Sequence, residues 1–117
     1  AIHAKELGFE NSILTNTNGN CIEATNSSLF IVQDNVIYTP PLIDGCIDGT
    51  MRAWVLDNHK VVKKSLNIID IKKADEVFIT NAINGITGVN LVEETNFNSF
   101  TYSNKLQKKL ISLSLDL

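Results

Sequence analysis

Apolar residues along this chain fall into short runs separated by turn-forming residues, a pattern that predicts more strands than helices. Residues 11–17 suit a strand, and Asn18-Gly19-Asn20 signals a hairpin because Asn-Gly tolerates the positive φ such turns need. Residues 21–25 return as a second strand, and the run Leu29-Phe30-Ile31-Val32 continues it. Gln33-Asp34-Asn35 is the next turn, and the strand from Val36 closes at Pro40 and Pro41. Residues 11–40 therefore read as an antiparallel meander. Asp44-Gly45 and Asp48-Gly49 punctuate a loop, after which helical spacing sets Met51, Trp54 and Val55 on one side.

Residues 59–68 read as a strand, and 69–74 as a short helix or turn with Asp70 as its cap. Residues 75–82 are the best strand in the chain, with a small-residue loop, Asn81 to Gly85, at its exit. Residues 86–93 form another strand, and 96–102 a strand or a loop. The chain closes on an amphipathic helix over 103–115, capped by Ser103 or Asn104, with Leu106, Leu110 and Leu113 inward. Residues 1–11 read as the last turns of a helix: Ala1, Ala4 and Leu7 make an apolar stripe and Gly8 a C-cap. With no N-cap, that helix looks cut rather than begun; a short helix left after removal of an initiator methionine is the alternative. Strands, helix, strands, helix make one α+β domain.

Composition narrows the function classes. A chain of 117 residues, 44% of them hydrophobic, suffices for one domain with a core. The net charge of −3 and the absence of any basic cluster longer than the pairs Lys63-Lys64, Lys72-Lys73 and Lys108-Lys109 argue against a nucleic-acid partner. No apolar run nears the roughly 20 residues that span a bilayer. Cys21 and Cys46 lack metal spacing and do not make a disulfide scaffold, so a reducing cytoplasm is the default compartment. His3 and His59 sit in no cluster, and no metal site is expected.

The chemistry begins with Glu23. It stands among Cys21, Ala24, Thr25, Asn26, Ser27 and Ser28, and the nearest other charge ahead is Asp34. One acid with small neighbours suits a ligand contact; the plainer alternative is a solvated strand residue. A Gly-containing loop, Asp48-Gly49, then enters a helix N-terminus, where free backbone N–H groups and the helix dipole favour an anion, although most such loops are simply turns.

Three segments in order resemble the C-terminal half of the class IV aminotransferases, the fold-type IV pyridoxal-phosphate enzymes. The first is Glu23-Ala24-Thr25-Asn26-Ser27-Ser28-Leu29-Phe30, the second Asp48-Gly49-Thr50-Met51-Arg52. The third is Ala74-Asp75-Glu76-Val77-Phe78 leading into Thr80-Asn81-Ala82-Ile83-Asn84-Gly85. The resemblance implies the large C-terminal domain of the D-amino-acid aminotransferase-like fold: antiparallel strands in a barrel-like sheet with flanking helices, filling residues 1–117. It implies pyridoxal 5'-phosphate as cofactor, with Glu23 holding a proton on the pyridine nitrogen. The phosphate would be bound by the N–H groups of Thr50 and Met51 after Gly49, and of Ala82 and Ile83 after Asn81. Arg52 is expected to be a structural ion-pair or capping residue rather than a substrate clamp.

Two positions depart from the family's pattern. Ser28 stands where the family often has Asn, near the cofactor's ring hydroxyl; Gly88 stands where it often has Pro, an effect expected to stay within the strand. The family's lysine that holds the cofactor covalently lies upstream of the helix expected to end at Gly8, and Lys5 does not match it. The resemblance thus implies a cofactor-binding half, inactive alone, whose partners are the family's N-terminal domain, a second copy in a homodimer and a small amino substrate. "TNAINGI" and "GTMR" look nearest to aminodeoxychorismate lyase, which makes 4-aminobenzoate for folate synthesis, with an amino-acid aminotransferase as the close alternative. A non-catalytic α+β interaction or structural domain is the reading from another class; it expects Glu23 in solvent and the Gly49 and Asn81 loops far apart.

Overall fold

The structure is a computed structural model that describes residues 5–7, 13–24 and 26–115. In chain order, strands β1 (Lys5–Leu7), β2 (Ile13–Thr15), β3 (Cys21–Ala24), β4 (Ser28–Gln33) and β5 (Val36–Thr39) lead through a 3-10 turn at Leu42–Asp44 into helix α1 (Thr50–Asn58). Strand β6 (Val61–Lys63), helix α2 (Ile68–Lys72), strands β7 (Glu76–Asn81), β8 (Gly85–Val92) and β9 (Thr95–Asn96) and helix α3 (Thr101–Leu115) follow.

The sheet is built outward from β4 and β7, whose apolar runs are buried on both faces. They pair antiparallel from Ser28↔Thr80 to Val32↔Glu76, and Phe30 stacks on Phe78 at 4.9 Å between ring centres. Leu29, Ile31, Val77 and Ile79 face the layer that holds Ile13, Cys21, Leu66 and Ile71. Phe30, Val32 and Phe78 face Val55 of α1 and Leu106 of α3. Continuous burial along both strands follows from this covering on two sides. The full strand order is β1-β8-β7-β4-β5-β6, with β9 beside β8, while β2 and β3 form a separate ribbon.

Turn chemistry sets the β4–β5 register. Asp34 and Asn35 both hold positive φ, 52° and 65°, the conformation of a two-residue hairpin whose twist matches its strands. Between β2 and β3, Gly19 takes a φ of 80° while Asn16 Oδ1 accepts the N–H groups of Asn18 and Asn20. Helix α2 begins with a full capping box: Asn67 is the cap and Asp70 its reciprocal partner, where Asp70 was expected as the cap itself.

Several sequence expectations change. The sheet of described strands is open, with edges at β1 and β6, so it is not barrel-like in the sense of closure. The meander breaks between β3 and β4: among the described residues their backbone pairing is limited to the tight Ala24↔Ser27 bridge, where Asn26 holds a positive φ of 58°. Lys5–Leu7 is extended and pairs parallel with β8 rather than being helical. An eight-residue helix has too few turns to hold without tertiary support, and the β8 edge offers the backbone its hydrogen bonds instead. Ala1, Ala4 and Gly8 lie outside the described residues. In α3, Leu106 is buried and Leu110 packs against the core, but Leu113 is largely exposed.

Neither Ser103 nor Asn104 caps α3, since both lie inside it. The capping group is Glu76 from β7, 1% exposed, which accepts the N–H groups of Tyr102 and Ser103 at 3.0 and 2.8 Å. Gly88 acts at the same junction: a Cβ there would stand 2.6 Å from Phe100 Cδ1, so its effect reaches beyond the strand to the entry of α3. Among the described residues the cysteines are unpaired, and burial, with Asp70 and Glu93 adding to it, pushes the Cys21 thiol up to about 11. Glu76→Ala is expected to cost about 2–3 kcal/mol in urea unfolding, because it orphans one buried and one part-buried amide. Gly88→Ala is expected to cost about 1–3 kcal/mol by overpacking against Phe100, read the same way.

Candidate functional site

Glu23 sits on β3 opposite Leu14 of β2. It is 5% exposed, and its Oε1 accepts the Ile47 backbone N–H at 2.9 Å. It is therefore not a solvated strand residue. An ionised carboxylate has about four acceptor positions, and one N–H leaves most of that capacity for a further donor.

Helix α1 meets this carboxylate's surroundings with its N-terminus. Gly49 is the N-cap and brings no side-chain bond, and the first intrahelical bond runs from Ala53 N–H to Gly49 C=O at 3.0 Å. The amides of Thr50, Met51 and Arg52 thus have no acceptor within the helix, and no acid stands in the first turn. Gly49 lets this end approach β4: a Cβ there would lie 3.3 Å from Ser28 Oγ.

The loop after β7 is organised by Asn81. Its Oδ1 accepts the N–H groups of Ile83 and Asn84 at 3.0 and 2.7 Å, and its Nδ2 donates to Ser27 Oγ at 3.1 Å. Asn81 thereby ties the loop to the start of β4 and consumes the Ile83 amide. Ile83 itself is 92% exposed.

These pieces converge. Glu23, Ser28, Gly49, Thr50, Met51, Asn81 and Ala82 line one cavity of about 270 Å³. Of the residues expected from sequence, only Ile83 falls outside it, lining the next groove along α3 instead. Sequence reasoning missed Asn26, Ser27, Ile47 and Thr80 as lining residues. Asn26, Ser27 and Thr80 are neighbours of the motifs and their signal was adjacency; Ile47 had none, since only folding brings its loop onto Glu23. Arg52 also lines the cavity; its Nη2 donates to Pro40 C=O at 3.1 Å and its Nη1 lies 3.8 Å from Asp48 Oδ1. Thr80 Oγ1 and Arg52 Nε are buried without partners. The site thus has a carboxylate on one wall, a helix N-terminus on another and unused hydrogen-bonding groups between them. It suits a ligand with a cationic or protonated nitrogen and an anionic group. No group of His, Cys, Asp and Glu among the described residues could hold a metal.

Comparison with known proteins matches the family model described as amino-transferase class IV over residues 1–92. The aminodeoxychorismate lyase of Vibrio harveyi is 30% identical over 86 residues, 69% of this chain and 32% of that protein. The solved branched-chain amino acid aminotransferase of Escherichia coli superposes with a TM-score of 0.82 at 25% identity, over 86% of this chain and 37% of that one. An aminotransferase from Brucella abortus, bound to the cofactor PLP, shares the fold at 21% identity and a TM-score of 0.82, over 88% and 39% of the two chains. The chain spans about a third of the length of the curated relatives it matches. Asn81→Ala is expected to free the loop at 82–84. Hydrogen exchange at the Ile83 and Asn84 amides should accelerate about tenfold or more, as the loss of bonds worth roughly 0.5–1.5 kcal/mol each implies.

Proposed function

The chain belongs to the amino-transferase class IV family, and on that premise we propose that it is the cofactor-holding domain of a pyridoxal-phosphate enzyme acting on a small amino substrate. The family is pyridoxal-phosphate dependent. The observation that carries the reading is the convergence of Glu23, the α1 N-terminus and the Ala82 turn on one cavity. The residues present fit the cofactor: a buried carboxylate with spare acceptor capacity, first-turn amides without an acceptor in their helix, and a glycine where the helix end approaches Ser28.

When bound, pyridoxal phosphate supplies an electron sink for bonds at the substrate's amino-bearing carbon. Glu23 would hold the proton on the ring nitrogen, on which that sink depends. The Thr50 and Met51 amides, with Ala82, would receive the phosphate. Ile83 is left out, because its amide already donates to Asn81. Ser28, which lines the cavity, would meet the ring's polar edge. Among the described residues no lysine lines the cavity, so the covalent anchor and the lid over the site would come from an N-terminal domain, with a homodimer as the assembly. Asn81-Ala82 and Gly49-Thr50-Met51-Arg52 favour an aminodeoxychorismate lyase-like reaction over transamination of an amino acid. The unpaired cysteines favour a reducing, cytoplasmic setting. A non-catalytic structural domain gains no support from a buried Glu23 and adjoining loops.

The test is titration with pyridoxine 5'-phosphate, which keeps the ring nitrogen and the phosphate but has no aldehyde to react with surface lysines. Wild type is expected to bind reversibly, and Glu23→Ala to weaken binding about tenfold to a hundredfold, the range for losing one charge-assisted hydrogen bond. Equal affinity of the two proteins would rule out Glu23 as the partner of the ring nitrogen.

A further inference from the structure

We infer that Arg52 is an anion-binding residue, supplying the positive charge that acts on a phosphate held at the first turn of α1. The inference rests on the cofactor reading above and goes beyond it, since there the phosphate is held by backbone amides alone.

Arg52 is 2% exposed, yet its guanidinium is under-compensated. Of its five N–H donors, one from Nη2 reaches Pro40 C=O at 3.1 Å. Nη1 lies 3.8 Å from Asp48 Oδ1, and that acid is 68% exposed, so water screens much of its charge. Nε is buried with no partner. A buried cation is ordinarily paired and fully hydrogen-bonded, because desolvation without compensation is costly.

Its place in the helix compounds this. Arg52 stands in the first turn of α1, where the helix dipole disfavours a cation; that turn contains no acid and no side-chain cap, and exposed Asp48 just before it offsets the charge only in part. Across the cavity, Glu23 is engaged by Ile47 N–H. Thr80 Oγ1, buried and unpartnered, lines the same cavity. A bond to Pro40 explains why the side chain turns inward; it does not explain why Nε is buried without an acceptor. One bound dianion relieves the orphaned Nε, the uncapped helix and the cation in the first turn together. The unfavourable placement of the cation is thereby turned into affinity for phosphate.

The experiment measures binding of inorganic phosphate, pyridoxine 5'-phosphate and pyridoxine to the purified protein and to three variants. Arg52→Met is expected to weaken both phosphate ligands about tenfold to a hundredfold and to leave pyridoxine unchanged. Arg52→Lys recovers part of the loss, since it restores charge without the planar fork. Asp48→Asn, a change at an exposed position, tightens phosphate binding about twofold to fivefold by removing the acid that partly compensates the guanidinium. Unchanged phosphate affinity in Arg52→Met overturns the inference and leaves the cofactor reading standing. Should that variant fail to fold, unchanged or weaker binding in Asp48→Asn overturns it equally. Wild type that binds inorganic phosphate through Arg52 but not pyridoxine 5'-phosphate keeps the anion site and overturns the cofactor reading. Wild type that binds neither overturns both.

Discussion

The antiparallel register of β4 on β7, from Ser28↔Thr80 to Val32↔Glu76, is the constraint on which the other elements depend. Both strands are buried on both faces, so a slip by one residue would exchange the two core layers wholesale. The stacked pair Phe30 and Phe78 sits at the middle of this register and resists such a slip. Each end of the pairing then carries a different load. At one end, Ser28 and Thr80 open onto the cavity; at the other, Asp75 and Glu76 organise the turn after β4 and the start of α3.

This division clarifies the segment Ala74-Asp75-Glu76. It resembles a family signature, yet neither acid reaches the cavity. Asp75 accepts the Asp34 N–H at 2.9 Å and returns its own N–H to Val32 C=O at 2.8 Å, clamping the β4–β5 hairpin. Glu76 performs the capping of α3 that a local Ser or Asn would otherwise perform. The acids stabilise the scaffold, and the same strand, six residues long, delivers Thr80 and Asn81 to the site at its far end.

The cavity is assembled from elements that contact one another through small residues. Gly49 sets the helix end against Ser28, Ser27 receives Asn81, and Asn26 takes positive φ so that β3 and β4 can diverge around the opening. The polar groups that result are incompletely satisfied: a carboxylate with one donor, a guanidinium with a bare Nε, a hydroxyl without a partner. Of the three buried side-chain atoms without a partner among the described residues, Arg52 Nε and Thr80 Oγ1 line this cavity and Asn90 Oδ1 does not; unsatisfied groups gathered at a cavity are what a site shaped for a ligand leaves open.

Much of this was legible in the chain itself. Alternation and turn residues located β4, β5, β7 and β8, and motif spacing singled out Glu23, Gly49 and Asn81, because such signals are local and carried by a few residues. The segments that failed were those whose local signal was weak or whose partner was distant. Lys5–Leu7 had a helical stripe too short to hold, and the β8 edge decided its conformation. The cap of α3 came from Glu76, 26 and 27 residues away in sequence from the amides it binds, beyond any local capping pattern. The amide of Ile83 looked available until the Asn81 side chain folded onto it. Ile47 acquired its role only when its loop closed over Glu23, 24 residues earlier in the chain. Sequence determined which side chains bring charge, small size or a turn to each position, since these are intrinsic to the residue. Tertiary structure decided which donors and acceptors remained free, because a hydrogen bond made at long range removes a group that the sequence leaves unassigned.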